Sequence, residues 1–464
     1  MGPQLGHRLE EDGRPFFYNP DTREGPFDAR PAAPGPGGPA GGPRAAAAAA
    51  AKDFDHAGVP LLAALDDRLV PKLESGAIKL LRADALRCEA LMPKKILRRQ
   101  ALEDLERRHS IRLFLLPAEA VAAVRAKDRR AGGLTYGWQT VDHPDVTGVV
   151  LTNVRRFLCI DLGQHVVALF WDFASLPQKP RSATEEPQFK EALPVMGDMY
   201  ASPLGTMVLR HTEVPPCPAE LAGELVVLGA PAADGELLEA LGRFGKVLGE
   251  VRREEGRVRV RLESQEAAEA AAKEGVACAV AVFTYYNPRP YFHRGWCNLE
   301  SGVATEPLAR ARFFPAMQAV LARLPPKLVE IDGAAPREAA AADAAGAGDE
   351  GAGPRIARVR AAIENATFTG KGDKATVQGL YNDYITNVGA AFANSGRVLV
   401  GEIGRGTYVS VEPATSPSSC GGSTSDVARP ASSVLRVDVA ARVCAARVWN
   451  PGKRELTALS QRVW

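Results

Sequence analysis

The sequence predicts an α/β protein with a mainly parallel sheet and one inserted α+β unit. Three observations carry this. From Asp53 to Asp332, short apolar runs alternate with segments whose apolar residues recur every three or four positions. One run, Val166 to Phe170, ends in Trp171-Asp172 and a proline-broken loop, the pattern of a buried strand whose carboxyl edge meets ligand or solvent. Residues 221–283 then follow a different order: strand, helix, two strands, helix, strand.

In chain order, Leu62 to Arg108 carries leucines at helical spacing with charges between them, and Ala118 to Lys127 is a further short helix. Gly133 to Trp138 reads as a strand ending near a glycine, Asp142-His143-Pro144-Asp145 as a loop, and Asn153 to Asp161 as a helix. Glu185 to Tyr200 reads as one long amphipathic helix, with Phe189, Leu193, Met196 and Tyr200 on one face. Thr206 to Leu209 is the next strand. In the insertion, Glu224–Ala230, Gly256–Leu262 and Val276–Phe283 are strands, and Asp234–Phe244 and Gln265–Lys273 are helices. The host pattern resumes at Tyr286 and runs into Arg294-Gly295-Trp296-Cys297-Asn298-Leu299-Glu300.

The 464 residues allow two or three domains, and an apolar fraction of 46% allows each a core. The 44 glycines and 35 prolines concentrate in tethers: 32–53 and 333–354 are low-complexity linkers. Flanking them, 1–31 is a small polar-aromatic module, 54–332 the main domain, 355–395 a short helical segment and 396–464 a largely irregular Ser/Gly/Pro-rich tail. With 57 basic against 55 acidic side chains, the chain has no electrostatic footprint for duplex DNA or an anionic membrane. Seven scattered cysteines without a C-x-x-C pair predict free thiols, with Cys159, Cys278 and Cys297 buried. No apolar run is long enough to span a bilayer, and the N-terminus lacks a signal-peptide core. A cytoplasmic setting, or a nuclear one, is the default expectation.

Leu134-Thr135-Tyr136-Gly137-Trp138, His143-Pro144-Asp145, Phe170-Trp171-Asp172-Phe173, Ser175-Leu176-Pro177-Gln178, Arg181 and Arg294 to Glu300 together resemble the TIR-like superfamily in its algal and protist form. That resemblance implies a TIR- or flavodoxin-like parallel sheet over about 130–332, with 60–128 as a helical lead-in. Some TIR domains cleave NAD, which makes NAD a substrate and requires no resident cofactor. It implies Glu300 as the catalytic carboxylate, with Trp138, Asp172 and Trp296 lining the cleft and the loop to Arg181 gating it. The chemistry suits a single carboxylate. Nicotinamide is attached as a cation and leaves neutral, so no general acid is needed, and the barrier is positive charge on the ribose. Arg181 and Arg294 are candidate phosphate contacts.

Gly13 to Asn19, Thr22 and Pro31 resemble a WW domain, a β-hairpin module that takes proline-rich peptides. Its groove positions are Phe16 and Phe27, and His7 stands where the family has its first tryptophan. The insertion resembles an RRM, through Phe244-Gly245-Lys246-Val247 and the alanine-rich second helix. The RRM positions that stack on RNA are here Val226, Arg257 and Arg259, so the usual aromatic chemistry is missing.

Other patterns point away from chemistry. Gly370-Lys371-Gly372 lacks the spacing of a phosphate loop. His143-Pro144-Asp145 structures a loop rather than forming an acid-base pair. His293 and Cys297 do not make a metal site by themselves. The resemblances imply, first, an intracellular modular interaction or signalling protein that recruits proline-rich partners and self-associates through the TIR-like domain. The alternative is an NAD-cleaving hydrolase using Glu300; a second is an RNA-associated protein acting through Arg257 and Arg259.

Overall fold

The computed structural model describes residues 6–9, 15–18, 60–92, 94–254, 256–311, 320–333, 336–338, 352–368, 372–399, 445–450 and 455–460. The two linkers fall largely outside these residues, as does Phe27. Near the N-terminus, β1 (Gly6–Leu9) and β2 (Pro15–Tyr18) form an antiparallel hairpin, with Arg8 opposite Phe16.

The lead-in holds α1 (Pro60–Glu74), the two-residue strand β3 (Leu81–Arg82), α2 (Ala83–Arg87), α3 (Arg99–His109) and α4 (Pro117–Arg125). Strand β4 (Ala131–Tyr136) is buried throughout. It is followed by α5 (Val149–Cys159), α6 (Asp161–Gln164), β5 (Ala168–Phe170) and the single turn α7 (Asp172–Ser175). Asp145 starts α5 by accepting from the N–H groups of Val150 (3.2 Å) and Leu151 (2.9 Å), and His143 Nδ1 accepts from Asp145 N–H at 3.0 Å. The loop reading of this tripeptide describes what its side chains do.

The expected helix from Glu185 to Tyr200 is divided. Helix α8 (Glu185–Ala192) gives way to a 3-10 turn at Leu193–Val195 and then to α9 (Asp198–Ala201). Pro194 removes a backbone donor and starts the tighter turn. Strand β6 (Thr206–His211) completes the central trio.

The insertion contains β7 (Glu224–Leu228), α10 (Asp234–Gly242), β8 (Val247–Glu254), β9 (Arg257–Leu262), α11 (Gln265–Glu274) and β10 (Ala281–Thr284). Its strands form a separate antiparallel sheet in the order β10-β7-β9-β8. Leu225, Val227, Val258, Val260 and Leu262 pack against Leu237, Leu241, Ala268 and Ala271 of the two helices.

After the insertion come α12 (Gly295–Ala311), β11 (Leu328–Glu330), β12 (Arg337–Glu338), α13 (Ala352–Asn365) and α14 (Asp373–Leu399). The large sheet has the order β12-β11-β6-β4-β5-β3; the four inner strands are parallel and both edges antiparallel. The fold is therefore α/β with a mostly parallel sheet and a second antiparallel one. Since β5 and β6 flank β4 on opposite sides, the chain reverses direction beside β4. Crevices of that kind take ligands at the carboxyl ends of the strands.

Two cores cover the sheet. On one face lie α1, α4, α9 and α12; on the other, α2, α3 and α5. The C-terminal helices belong to the first core. Ile363, Val377, Tyr381, Tyr384 and Val388 are buried there, and Tyr384 Oη donates to Val303 O at 2.8 Å. The segment 355–395, set apart in the sequence reading, is thus packed into the main domain. Glycine on α12 lets it in: a Cβ at Gly302 would lie 2.6 Å from Val359, and one at Gly295 only 1.8 Å from the Phe368 ring. Two further expectations differ. Cys159 is exposed and Cys278 half-buried, leaving Cys297 as the buried thiol of the three. In the tail, β13 (Ala445–Asn450) and β14 (Glu455–Ser460) form an antiparallel hairpin. No helix among the described residues is long and apolar enough to cross a membrane.

Candidate functional site at the carboxyl edge of the parallel sheet

Asp172 follows the end of β5 and is half-buried. Its carboxylate accepts from Tyr136 Oη at 2.8 Å, Trp138 Nε1 at 2.9 Å and its neighbour Phe173 N–H at 2.7 Å. Burial raises its pKa, and these three donors hold the rise in check. Trp138 packs edge-on to Phe173, with ring centroids 5.6 Å apart. Two of the residues expected to line a cleft are therefore directly bonded.

Glu300 comes from a different element, α12, which packs on the opposite face of the sheet from Trp138. Alternation along β4 explains how it meets the strand: Leu134 and Tyr136 point into one core, which leaves Thr135 toward α12. Tyr291 Oη lies 2.6 Å from Thr135 Oγ1 and 2.9 Å from Ser301 Oγ, and Cys297 Sγ–H donates to Tyr136 O at 3.3 Å. These bonds tie the first turns of α12 to the end of β4.

Glu300 is only 7% exposed. Its carboxyl is held well above the usual range, by burial first and then by the charge of Asp172, while the hydroxyls of Thr135 and Tyr200 favour the ionised form. Thr135 stands near the carboxyl end of β4 and Asp172 follows β5, so both carboxyl groups lie toward that end of the sheet, Glu300 on the α12 face and Asp172 bonded on the Trp138 face. Trp296, one turn toward the helix N-terminus on the same face, is half-buried. Burial also raises the Cys297 thiol, so it is not an activated nucleophile.

The other expected residues are engaged elsewhere. Arg181 donates to Pro177 O at 2.8 Å, pairs with Glu186 at 3.2 Å and lies 3.4 Å over the Phe189 ring. The loop before it is tied down as well: Gln178 Nε2 donates to Asp172 O and Leu176 O, and Gln100 Nε2 donates to Gln178 O at 2.7 Å. Arg181 therefore braces this loop on itself rather than reaching the carboxyl pair. Arg294, the other candidate phosphate contact, points its guanidinium at backbone carbonyls.

On the insertion, Arg257 pairs with Glu254 at 2.5 Å and with Asp142 of the host loop at 2.8 Å. Arg259 pairs with Glu224 at 2.6 Å and stacks over Tyr285 at 3.9 Å, and Val226 is fully buried. Base-stacking by these arginines would require giving up charge pairs they already make. Phe16 lies on the N-terminal hairpin strand β2.

Sequence reasoning did not assign Thr135, Tyr200 or Tyr291 to the site. In the sequence Thr135 sits inside the Leu134–Trp138 motif without a role of its own, Tyr200 falls on an apolar helical face, and no pattern marks Tyr291. Among the described residues no group of three His, Cys, Asp or Glu side chains is arranged to hold a metal ion. Comparison of the chain with protein-family models, curated proteins and solved structures yields no match.

Proposed function

We propose that the chain hydrolyses the nicotinamide–ribose bond of NAD, with Glu300 as the acting carboxylate. The observation that supports it is that Asp172 follows the end of β5 while Glu300, on α12, lies beside Thr135 near the end of β4, so both carboxyl groups lie toward the carboxyl end of the sheet. Burial, and then the charge of Asp172, disfavour the ionised form of Glu300, so a cation bound beside it would favour that form. The nicotinamide ribosyl group of NAD is such a cation. In the reaction the C1′–N bond breaks and its electron pair leaves with nicotinamide. Positive charge moves onto the ribose, next to ionised Glu300, and water then adds at C1′ and loses a proton. Asp172, which accepts from three donors, orients the Trp138 indole. The protonation state of Glu300 makes the interaction selective, since its charge is favoured only when the opposing charge is present. The test is nicotinamide release from NAD by the full chain and by Glu300→Ala. Equal release from both, or none from the parent protein, removes this reading.

A second reading rests on the N-terminal hairpin together with the WW resemblance, which gives Phe16 and Phe27 as the positions that would take a proline-rich peptide. It is compatible with the first, as a recruiting arm on a catalytic domain. Titrating a PPxY peptide into a 1–35 fragment tests it by chemical-shift changes on Phe16 and Phe27. No change at millimolar peptide discards the role.

A further inference from the structure

We infer that Arg294 is a positioning residue that fixes the Trp138–Asp172 wall relative to the helix carrying Glu300. The catalytic part of the inference rests on the hydrolase reading; the positional part does not.

The side chain is 7% exposed, yet no carboxylate among the described residues pairs with it. Its guanidinium donates instead to three carbonyls: Nη1 to Trp138 O at 2.6 Å, Nη2 to Asn287 O at 2.9 Å and Nε to Arg289 O at 2.9 Å. A buried cation solvated only by peptide dipoles is costly, and an apolar side chain of similar volume would pack as well. What an apolar residue could not supply is three directed donors in one plane.

The carbonyls belong to segments that need holding. Trp138 lies just past the end of β4; Asn287 and Arg289 are on the return from the insertion. The same segments meet through Asn287 N–H to Gln139 O at 2.7 Å and an isolated bridge between Thr140 and Tyr286. Arg294 also opens α12, because its own carbonyl accepts from Asn298 N–H at 3.1 Å. One residue thus grips the strand end with its side chain and starts the Glu300 helix with its backbone. Glu300 sits less than two turns further along the same rigid element. Gly137 leaves room for the grip, since a Cβ there would lie 2.6 Å from the guanidinium.

The indole N–H of Trp138 reports the wall, because it donates to Asp172 while Arg294 touches only the Trp138 carbonyl. The experiment compares the full chain with Arg294→Lys and Gly137→Ala, reading the indole ¹H–¹⁵N signal of Trp138 and nicotinamide release at saturating NAD. Lysine keeps the charge but cannot span three carbonyls, and the alanine methyl displaces an intact arginine. Both variants are expected to shift the indole signal and to lower kcat on the order of 10- to 100-fold, with a smaller change in KM. An indole signal at its parent position in both variants overturns the inference. So does a shifted signal with unchanged kcat in an active parent. If the parent releases no nicotinamide, the hydrolase reading falls and the indole signals alone decide the role of Arg294. If Arg294→Lys fails to fold, Gly137→Ala decides.

Discussion

Trp138 Nε1 donates to Asp172 Oδ2 across 2.9 Å, joining a loop after one sheet strand to the end of its neighbour. The bond fixes the indole plane against a carboxylate that keeps two other donors.

Trp138→Phe retains the ring and removes this donor. Its loss should destabilise the protein by about 2 kcal/mol at pH 8. The effect should shrink toward pH 4, because the bond is strongest to ionised Asp172 and the variant raises that group's pKa further. Urea unfolding at the two pH values checks this; a loss that is larger at pH 4 would contradict it.

Glu300→Gln should act oppositely on stability and on turnover. Its folded-state pKa lies above the unfolded value, so the parent protein loses stability as pH rises through that interval. Glutamine removes the titration, and the variant should gain stability over the parent from pH 5 to pH 8. Nicotinamide release should fall on the order of 10²- to 10³-fold. In the parent, kcat/KM should rise with pH as Glu300 ionises. A variant that is less stable at every pH would mark Glu300 as a structural residue.

Asp198 is a second buried carboxyl, on the short helix α9 that also carries Tyr200. It is 2% exposed, lies 3.5 Å from Arg68, and burial lifts its pKa to about 7, with Asp66 contributing. Stability associated with its protonated form is present below the unfolded pKa and is lost as pH rises to about 7. Asp198→Asn should match the parent near pH 3 and exceed it at pH 8, by up to roughly 4 kcal/mol. Thermal melts at both pH values decide it.

Gly302→Ala should loosen the C-terminal helices. Its methyl would sit 2.6 Å from Val359 and 3.3 Å from Tyr381, an overpacking that costs about 1–3 kcal/mol. Val359→Ala in the same chain should recover part of the loss, as contacting residues couple. A purely additive double variant would show that the helices adjust by other means.

Much of this arrangement was legible in the sequence. The apolar alternation located β4, β6, α5 and five of the six elements of the insertion, β8 having no range of its own in the sequence, and the two motifs around Trp171 and Trp296 contain both carboxyl groups. What escaped had a physical reason. Strand β3 is two residues long and exists through pairing with β5, so no local pattern marks it. The break at Pro194 was visible as a proline, but the apolar face on both sides of it outweighed the signal. Helices α13 and α14 looked detached because their partner surface, the glycine side of α12, has no apolar stripe to announce it. The β13–β14 hairpin lay hidden in a region of turn-rich composition, although Pro451-Gly452 between two apolar runs is a turn signal. Tyr200 and Tyr291 join the site only through tertiary contacts.

The insertion enters through β7 and leaves through β10, and these two strands are paired neighbours, with Leu225 opposite Thr284. Its ports of entry and exit are therefore about 5 Å apart, the spacing of adjacent strands. A cassette with such adjoining ends imposes little on its host: a short turn could close the gap if it were excised, and a lengthened one would not pry the gap open. Evolution could have gained, enlarged or exchanged this unit without disturbing the sheet beneath, with the Arg257–Asp142 pair and the Arg259–Tyr285 stack among the contacts to recut.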